Sequence, residues 1–164
     1  MINKNIEISD YGLIIEPEKL EDAEDIHKYM GCDPEITRFT GWNPYQTLES
    51  TIEKIKRDLS AADDAEYSWI IKKNKEFIGT IGAYDYNADD CSIEIGYSIA
   101  RHFWGNGYAK ASTKAIVSFL LGKPHIKSIR AWSHKDNKAS RAVLLSAGFE
   151  ESGVDGENII FTRK

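Results

Sequence analysis

The chain has little cysteine. Cys32 and Cys91 stand far apart in 164 residues and outside any CxxC pattern. That argues against a zinc site and against a disulfide framework, and two buried thiols are the expectation. The chain also lacks a long apolar run: no window approaches the roughly 18 consecutive apolar residues of a membrane span. Met1 to Asp10 is polar and mixed in charge, without the apolar core of a secretory signal. The expectation is a cytoplasmic protein with no membrane partner. A basic stripe is missing too. Net charge is −5, with 26 acidic residues against 21 Lys and Arg. Nucleic-acid binders carry clustered basic residues, so no nucleic-acid partner is expected. The acidic balance instead weakly attracts a cationic substrate. His27, His102 and His125 show no metal-ligand spacing, so no metal is expected. Repeats, low-complexity tracts and linkers are absent, and the length suits one domain over residues 1–164.

What is present is a regular alternation of elements. Leu13 to Ile15, ended by Pro17, fits a first strand. Leu20, Ala23, Ile26, Tyr29 and Met30 recur at helical spacing, which predicts a helix over 18–30. A turn-rich segment with Phe39, Trp42 and Tyr45 follows. A second helix carries Leu48, Ile52, Ile55 and Leu59 on one face, with Thr47 as its N-cap. Residues 67–71, 77–86 and 91–100 read as a strand meander, turning at Asn74 and at 87–90. Residues 107–121 form a helix stopped by Gly122 and Pro124. Then come a strand at 126–133, a helix at 137–147 closed by Gly148, and strands at 149–154 and 158–162. The fold class is mixed α/β, with layers around one sheet that holds both antiparallel and parallel neighbours.

One stretch reads as a ligand site. The strand at 91–100 runs through Arg101-His102-Phe103 into Trp104-Gly105-Asn106-Gly107-Tyr108-Ala109, and a helix opens there. The glycines permit unusual backbone angles and close approach of a ligand. The helix start directs unbonded N–H groups and its positive dipole end at the turn, an arrangement that fits a pyrophosphate. It is not a P-loop, because GxxxxGK[ST] is absent. It is not a dinucleotide turn either: it lies late in the chain and a third glycine is missing.

The segments SIEIGYSIA (92–100), WGNGYA (104–109), DNKASRAVLLSAGF (136–149) and GWNPYQTLEST (41–51) together resemble the GNAT acetyltransferases, most closely the RimJ/RimL type. The resemblance implies a GNAT-like central sheet. That sheet is mixed, mostly antiparallel and twisted, of about seven strands with four helices. The strands at 91–100 and 126–133 splay apart. It implies acetyl-CoA as cosubstrate, an amine acceptor (a protein N-terminus or a small molecule) and a homodimer. The family turn, Q/R-x-x-G-x-G/A, falls on Trp104, Gly105, Asn106, Gly107, Tyr108 and Ala109. Their amides, and that of Lys110, are implied to hold the pyrophosphate. The pantetheine arm is implied to lie along the backbone of Tyr97, Ser98 and Ile99 and to be steadied by Asn137. Trp104 stands where the superfamily usually has Gln or Arg, as is typical of RimJ/RimL proteins. Asn106 stands where that group often has Lys, and Ala111 where it often has Glu; Lys110 offsets the missing cation.

Acetyl transfer to an amine requires loss of a proton from nitrogen, a donor for the developing oxyanion, and a leaving thiolate. Freeing a Lys amine at pH 7 costs roughly 4–5 kcal/mol and an α-amino group only about 1–1.4 kcal/mol. Glu94 is the candidate base. Alternation turns it away from Ile93 and Ile95, and the resemblance faces it toward the acceptor, acting directly or through a water. A strand amide near Tyr97 is the oxyanion donor. Ser140 is the candidate acid for the thiolate, against a hydroxyl merely bonded within the first turn of its own helix. His134 with Asp136 reads as a solvated turn. Trp42, Tyr45, Trp69 and Tyr84 are either acceptor-pocket or core aromatics. A non-catalytic acyl-CoA-binding sensor and a phosphate-binding module are the competing readings.

Overall fold

The computed structural model describes residues 5–40, 47–61 and 66–164. Eight strands form one sheet: β1 Ile6–Ile8, β2 Leu13–Pro17, β3 Tyr67–Lys73, β4 Glu76–Asn87, β5 Ser92–Ile99, β6 Ser128–His134, β7 Glu150–Asp155 and β8 Asn158–Arg163. Their order is β1-β2-β3-β4-β5-β6-β8-β7. Every neighbouring pair is antiparallel except β5 with β6. The helices are α1 Ala23–Ile26, α2 Pro34–Thr37, α3 Leu48–Ala61, α4 Tyr108–Leu121 and α5 Lys138–Ser146. The class and the strand–helix order agree with the sequence. Eight strands replace the expected seven because Ile6 and Ile8, alternating with Glu7, pair with β2. Five helices replace four because Pro34 starts a short extra turn capped by Asp33.

Local chemistry explains most boundaries. Asn74 and Lys75 hold φ of 49° and 68°, the tight turn that joins β3 to β4. The Thr47 hydroxyl accepts from the Ser50 amide at 3.2 Å, capping α3 as expected. Gly148, at φ 83°, closes α5: its amide reaches the Leu145 carbonyl and the Phe149 amide reaches that of Leu144, both at 3.1 Å. The helix expected over 18–30 is broken. A 3-10 turn at Leu20–Asp22 leads into α1, and a wider turn at His27–Gly31 follows, where the Cys32 amide reaches the His27 carbonyl five residues back. The extra residue in that turn buries Met30 and Gly31 together.

The sheet has two different faces. On one, Ile15, Trp69, Ile81, Ile93, Ile95 and Ile129 pack under α4 and α5. On the other, Ile70 and Phe77 pack with Ala23, Ile26, Met30 and Ile55 from the α1–α3 side. β5 and β6 pair only through Ser92–Ser128, Ile93–Ile129 and Glu94–Arg130. Beyond Glu94 the two strands part, β6 running on beside β8 and β5 beside β4 alone. Among the described residues, no helix is long and apolar enough to cross a membrane.

Candidate functional site

The parting of β5 and β6 opens a cleft of about 1970 Å³ that crosses the sheet between the α1–α3 side and the N-terminal ends of α4 and α5. Trp104, Gly105, Gly107, Tyr108, Ala109 and Lys110 line it. Gly105 and Gly107 have φ of 80° and 77°. A Cβ on Gly105 would meet nothing within 4 Å, so glycine is required there by backbone conformation alone. The Ala111 amide makes the first backbone bond of α4, to the Gly107 carbonyl at 3.0 Å. The amides of Tyr108, Ala109 and Lys110 precede it and have no carbonyl one turn back. This is a main-chain anion cradle, and it fits a pyrophosphate. Asn106 lies off the wall and braces the turn, its side-chain amide donating to the Phe103 and Trp104 carbonyls at 2.9 and 3.3 Å.

Two ties fix the cradle. Arg101 Nε donates to Asp33 at 2.9 Å, which anchors the turn to α2; this bond is also the main cause holding the Asp33 carboxyl below its usual range. Lys73 Nζ donates to the Tyr108 hydroxyl at 2.9 Å. The Trp104 indole N–H donates to the Ile99 carbonyl at 2.7 Å while half of the residue stays exposed. The backbone at Ile99 is therefore not fully open to a pantetheine arm, as the sequence reading had it, because Trp104 engages its carbonyl. Tyr97, Ser98 and Ile99 all lie on the cleft wall.

The start of α5 completes this half. Asn137 Oδ1 accepts from the Ser140 amide at 3.1 Å, which leaves the side-chain NH2 as the part that can reach a ligand. The Ser140 hydroxyl lies 3.1 Å from the Tyr97 hydroxyl, which donates to the Ser140 carbonyl at 3.2 Å. The partner of Ser140 is thus a residue of β5 rather than the first turn of its own helix. Burial pushes the Tyr97 phenol up to about 12, against the Ser140 hydrogen bond, so it stays protonated at neutral pH. The sequence assigns only the backbone of Tyr97 a role. No local spacing signals a hydroxyl pair 43 positions apart.

On the other half, Glu94 faces away from Ile93 and Ile95 as alternation required; both isoleucines are buried and Glu94 is half-buried. It sits between Tyr84 and Arg130 on the neighbouring strands. Burial raises its pKa, Arg130 opposes that, Asp85 adds to it, and the Trp132 side chain lowers it. Tyr84 and Trp132, both beside Glu94, belong to the cleft wall and Glu94 does not. Burial, then the Glu94 charge, push the Tyr84 phenol up to about 12. Trp69 is buried in the core, stacked on Tyr67 at 5.0 Å, and also borders the cleft. Trp42 and Tyr45 lie outside the described residues. His134 lines the cleft, stacked on Phe39 at 5.1 Å, and its Nδ1 accepts from the Asp136 amide at 3.2 Å. The expected buried thiols are not found. Cys32 is exposed beside His27, 3.4 Å from its Nε2, and Cys91 is half-buried in the turn after β4. Glu18, not singled out from sequence, is buried in the cleft wall.

Three comparisons bear on this geometry. A family model described as an acetyltransferase (GNAT) domain matches residues 12–150. The chain is 32% identical over 137 residues to the uncharacterised N-acetyltransferase YoaA of Bacillus subtilis strain 168, covering 82% of this chain and 77% of that protein. It is 29% identical over 139 residues to the uncharacterised N-acetyltransferase p20 of Bacillus licheniformis, covering 83% and 78%. Among solved structures, RimL, a ribosomal alpha-N-protein acetyltransferase in complex with coenzyme A, superposes with a TM-score of 0.89 at 17% identity, covering 98% of this chain and 97% of that one. At that identity the likeness is one of fold.

Proposed function

The chain belongs to the GNAT acetyltransferase family and is an acyltransferase, and from that premise we propose that residues 1–164 form one domain that moves the acetyl group of acetyl-CoA directly onto a primary amine. The observation that carries the reading is the cradle of unbonded amides at Gly105–Lys110, opening on the parted strands β5 and β6.

Each half of the cleft has its task. The amides from Gly105 to Lys110 bind the pyrophosphate, with Asn106 holding the turn's shape and Lys110 adding charge; the Trp104 amide is taken by the Arg101 carbonyl at 3.1 Å, so Trp104 contributes its side chain alone. The backbone of Tyr97, the Ile99 amide and the Asn137 NH2 group bind the pantetheine arm; Ser98, opposite Thr80 in the antiparallel ladder, turns its own backbone groups to β4 and only flanks the arm. An amide near Tyr97 stabilises the oxyanion as the amine nitrogen bonds to the thioester carbon. Glu94 accepts the proton lost by the amine through a water, because it lies beside the cleft-lining Tyr84 and Trp132 and not on the wall itself. As the carbon–sulfur bond breaks, the Ser140 hydroxyl gives its proton to sulfur; the Tyr97 hydroxyl, 3.1 Å away, turns its one proton from the Ser140 carbonyl to the Ser140 oxygen and takes a proton from solvent in exchange.

Calorimetric titration with acetyl-CoA tests this reading. Micromolar affinity at one site per chain is expected. Gly107→Val forces a β-branched residue to a positive φ and weakens that affinity about tenfold or more, since the strain costs roughly 1–3 kcal/mol. No binding by the wild type at millimolar acetyl-CoA would overturn the proposal.

A further inference from the structure

Glu18 follows the last residue of β2, and its amide donates to the Ser68 carbonyl at 2.9 Å. In register, Ser68 pairs with Gly82 and Gly82 with Gly96. Glu18, Ser68, Gly82 and Gly96 therefore form one row across four strands, on the sheet face that carries Glu94. All four line the cleft. Ser68 and Gly82 leave a shallow trough in the sheet, with Glu18 at one end and, at the other, the Tyr84 ring, which lies over Gly96 beside the parting of β5 and β6.

The Glu18 carboxylate is poorly compensated. The residue is 5% exposed, and its Oε2 has no hydrogen-bond partner among the described residues. Burial, together with Asp58 on α3 and Asp22 ahead of α1, raises its pKa from 4.5 to about 7, against Lys54. Lys54 is already engaged by Asp58. Lys72 is engaged by Glu16 at 2.6 Å and by Asp22 at 3.2 Å. Four carboxylates, Glu16, Glu18, Asp22 and Asp58, thus face two ammonium groups. A buried carboxylate without a partner is costly unless a cation arrives.

We propose that Glu18 is the specificity anchor of the acceptor half: it binds a second cationic group of a small aliphatic diamine or polyamine whose other amine is acetylated beside β5. Distance excludes Glu18 as the base. Three strand spacings separate its backbone from that of Gly96, about 14 Å, and the glutamate side chain closes only part of that gap. The same distance suits an extended acceptor with ammonium groups at both ends. This inference rests on the amine-acetylation reading above and specifies its substrate class.

The test compares amines of matched length, hexamethylenediamine against hexylamine, as acceptors for the wild type and for Glu18→Gln. The wild type is expected to favour the diamine at least tenfold in kcat/KM, through KM. Glu18→Gln is expected to bring that ratio close to one. The wild-type comparison needs no variant to fold, and a wild type that treats the two amines alike overturns the proposal. So does a ratio that Glu18→Gln leaves intact. If acetyl-CoA binds but no amine is acetylated, the acetylation reading fails on its own, and the anchor is then judged by calorimetric binding of hexamethylenediamine to the coenzyme A complex. Binding that Glu18→Gln weakens at least tenfold supports the anchor. No binding, or binding that the substitution leaves unchanged, overturns it.

Discussion

The two halves of the cleft are built from different materials. The half bounded by the 104–110 turn and the start of α5 presents main-chain groups: amides held open by Gly105 and Gly107, and a helix end capped by Asn137. The half under α1 and α3 presents side chains of both signs, with Glu18, Lys54 and Asp58 on its wall. Backbone recognition suits a ligand that never changes, because it tolerates substitution at most turn positions. Side-chain recognition suits a partner that differs between relatives. The comparison predicts that substitutions in the first half act through backbone and cap geometry, and those in the second through charge.

The largest effect expected is on Glu94, a side chain of the second kind. Glu94→Gln should lower kcat about 100-fold or more, the range for losing a positioned proton acceptor, and leave acetyl-CoA affinity unchanged. Because burial and then Asp85 hold its pKa up against Arg130 and Trp132, the wild-type rate should fall on the acid side at a pH above the usual glutamate range, and the variant should lack that limb. A pH–rate profile of both proteins checks this. Unchanged turnover would move the proton acceptor off the sheet face.

The next effect is on stability and isolates Glu18. A carboxyl raised from 4.5 to about 7 binds its proton more tightly in the folded state than in the unfolded one. Its ionisation therefore opposes folding. The penalty is absent below about pH 4.5, grows as pH rises to about 7, and is complete above that. Its ceiling is about 3 kcal/mol. Glu18→Gln should raise Tm by several degrees at pH 8 and by little at pH 4.5. Thermal melts at the two pH values decide it, and equal shifts would show that Glu18 is already compensated.

The same division explains what the sequence revealed. The turn at 104–109, the Thr47 cap and the Gly148 stop are local patterns, so each was legible with its position. The fold class and the order of strands and helices along the chain followed from periodicity in long elements such as β4, β5 and α4. The acceptor half was legible only at Glu94, through strand alternation, and at Tyr84. The wide turn at His27–Gly31 looks helical in a pattern of apolar spacing, since Ile26 and Met30 keep the helical interval. Glu18 reads as the first residue of that helix, and its burial appears only when Ser68 and α3 pack against it. The Tyr97–Ser140 contact likewise exists only once β5 and α5 meet.

Asn137 gives the smallest and sharpest test, because the proposed function gives it two tasks, one for the fold and one for the ligand, carried by different atoms of one amide. Its Oδ1 caps α5, and its NH2 group is assigned to the pantetheine arm. Asn137→Ala removes both and should cost about 1 kcal/mol of stability, a fall in Tm of roughly 2–4 °C for a chain of this size. It should also weaken acetyl-CoA binding several-fold, the worth of one hydrogen bond. Asn137→Asp separates the two. A carboxylate is as good an N-cap and favours the positive helix end, so the melting temperature should return to that of the wild type. It cannot donate to the ligand, so acetyl-CoA affinity should stay at least as low as in the alanine variant. If affinity recovers along with stability, the side chain acts on the coenzyme only by holding the helix in place, and the first half of the cleft binds through its backbone alone.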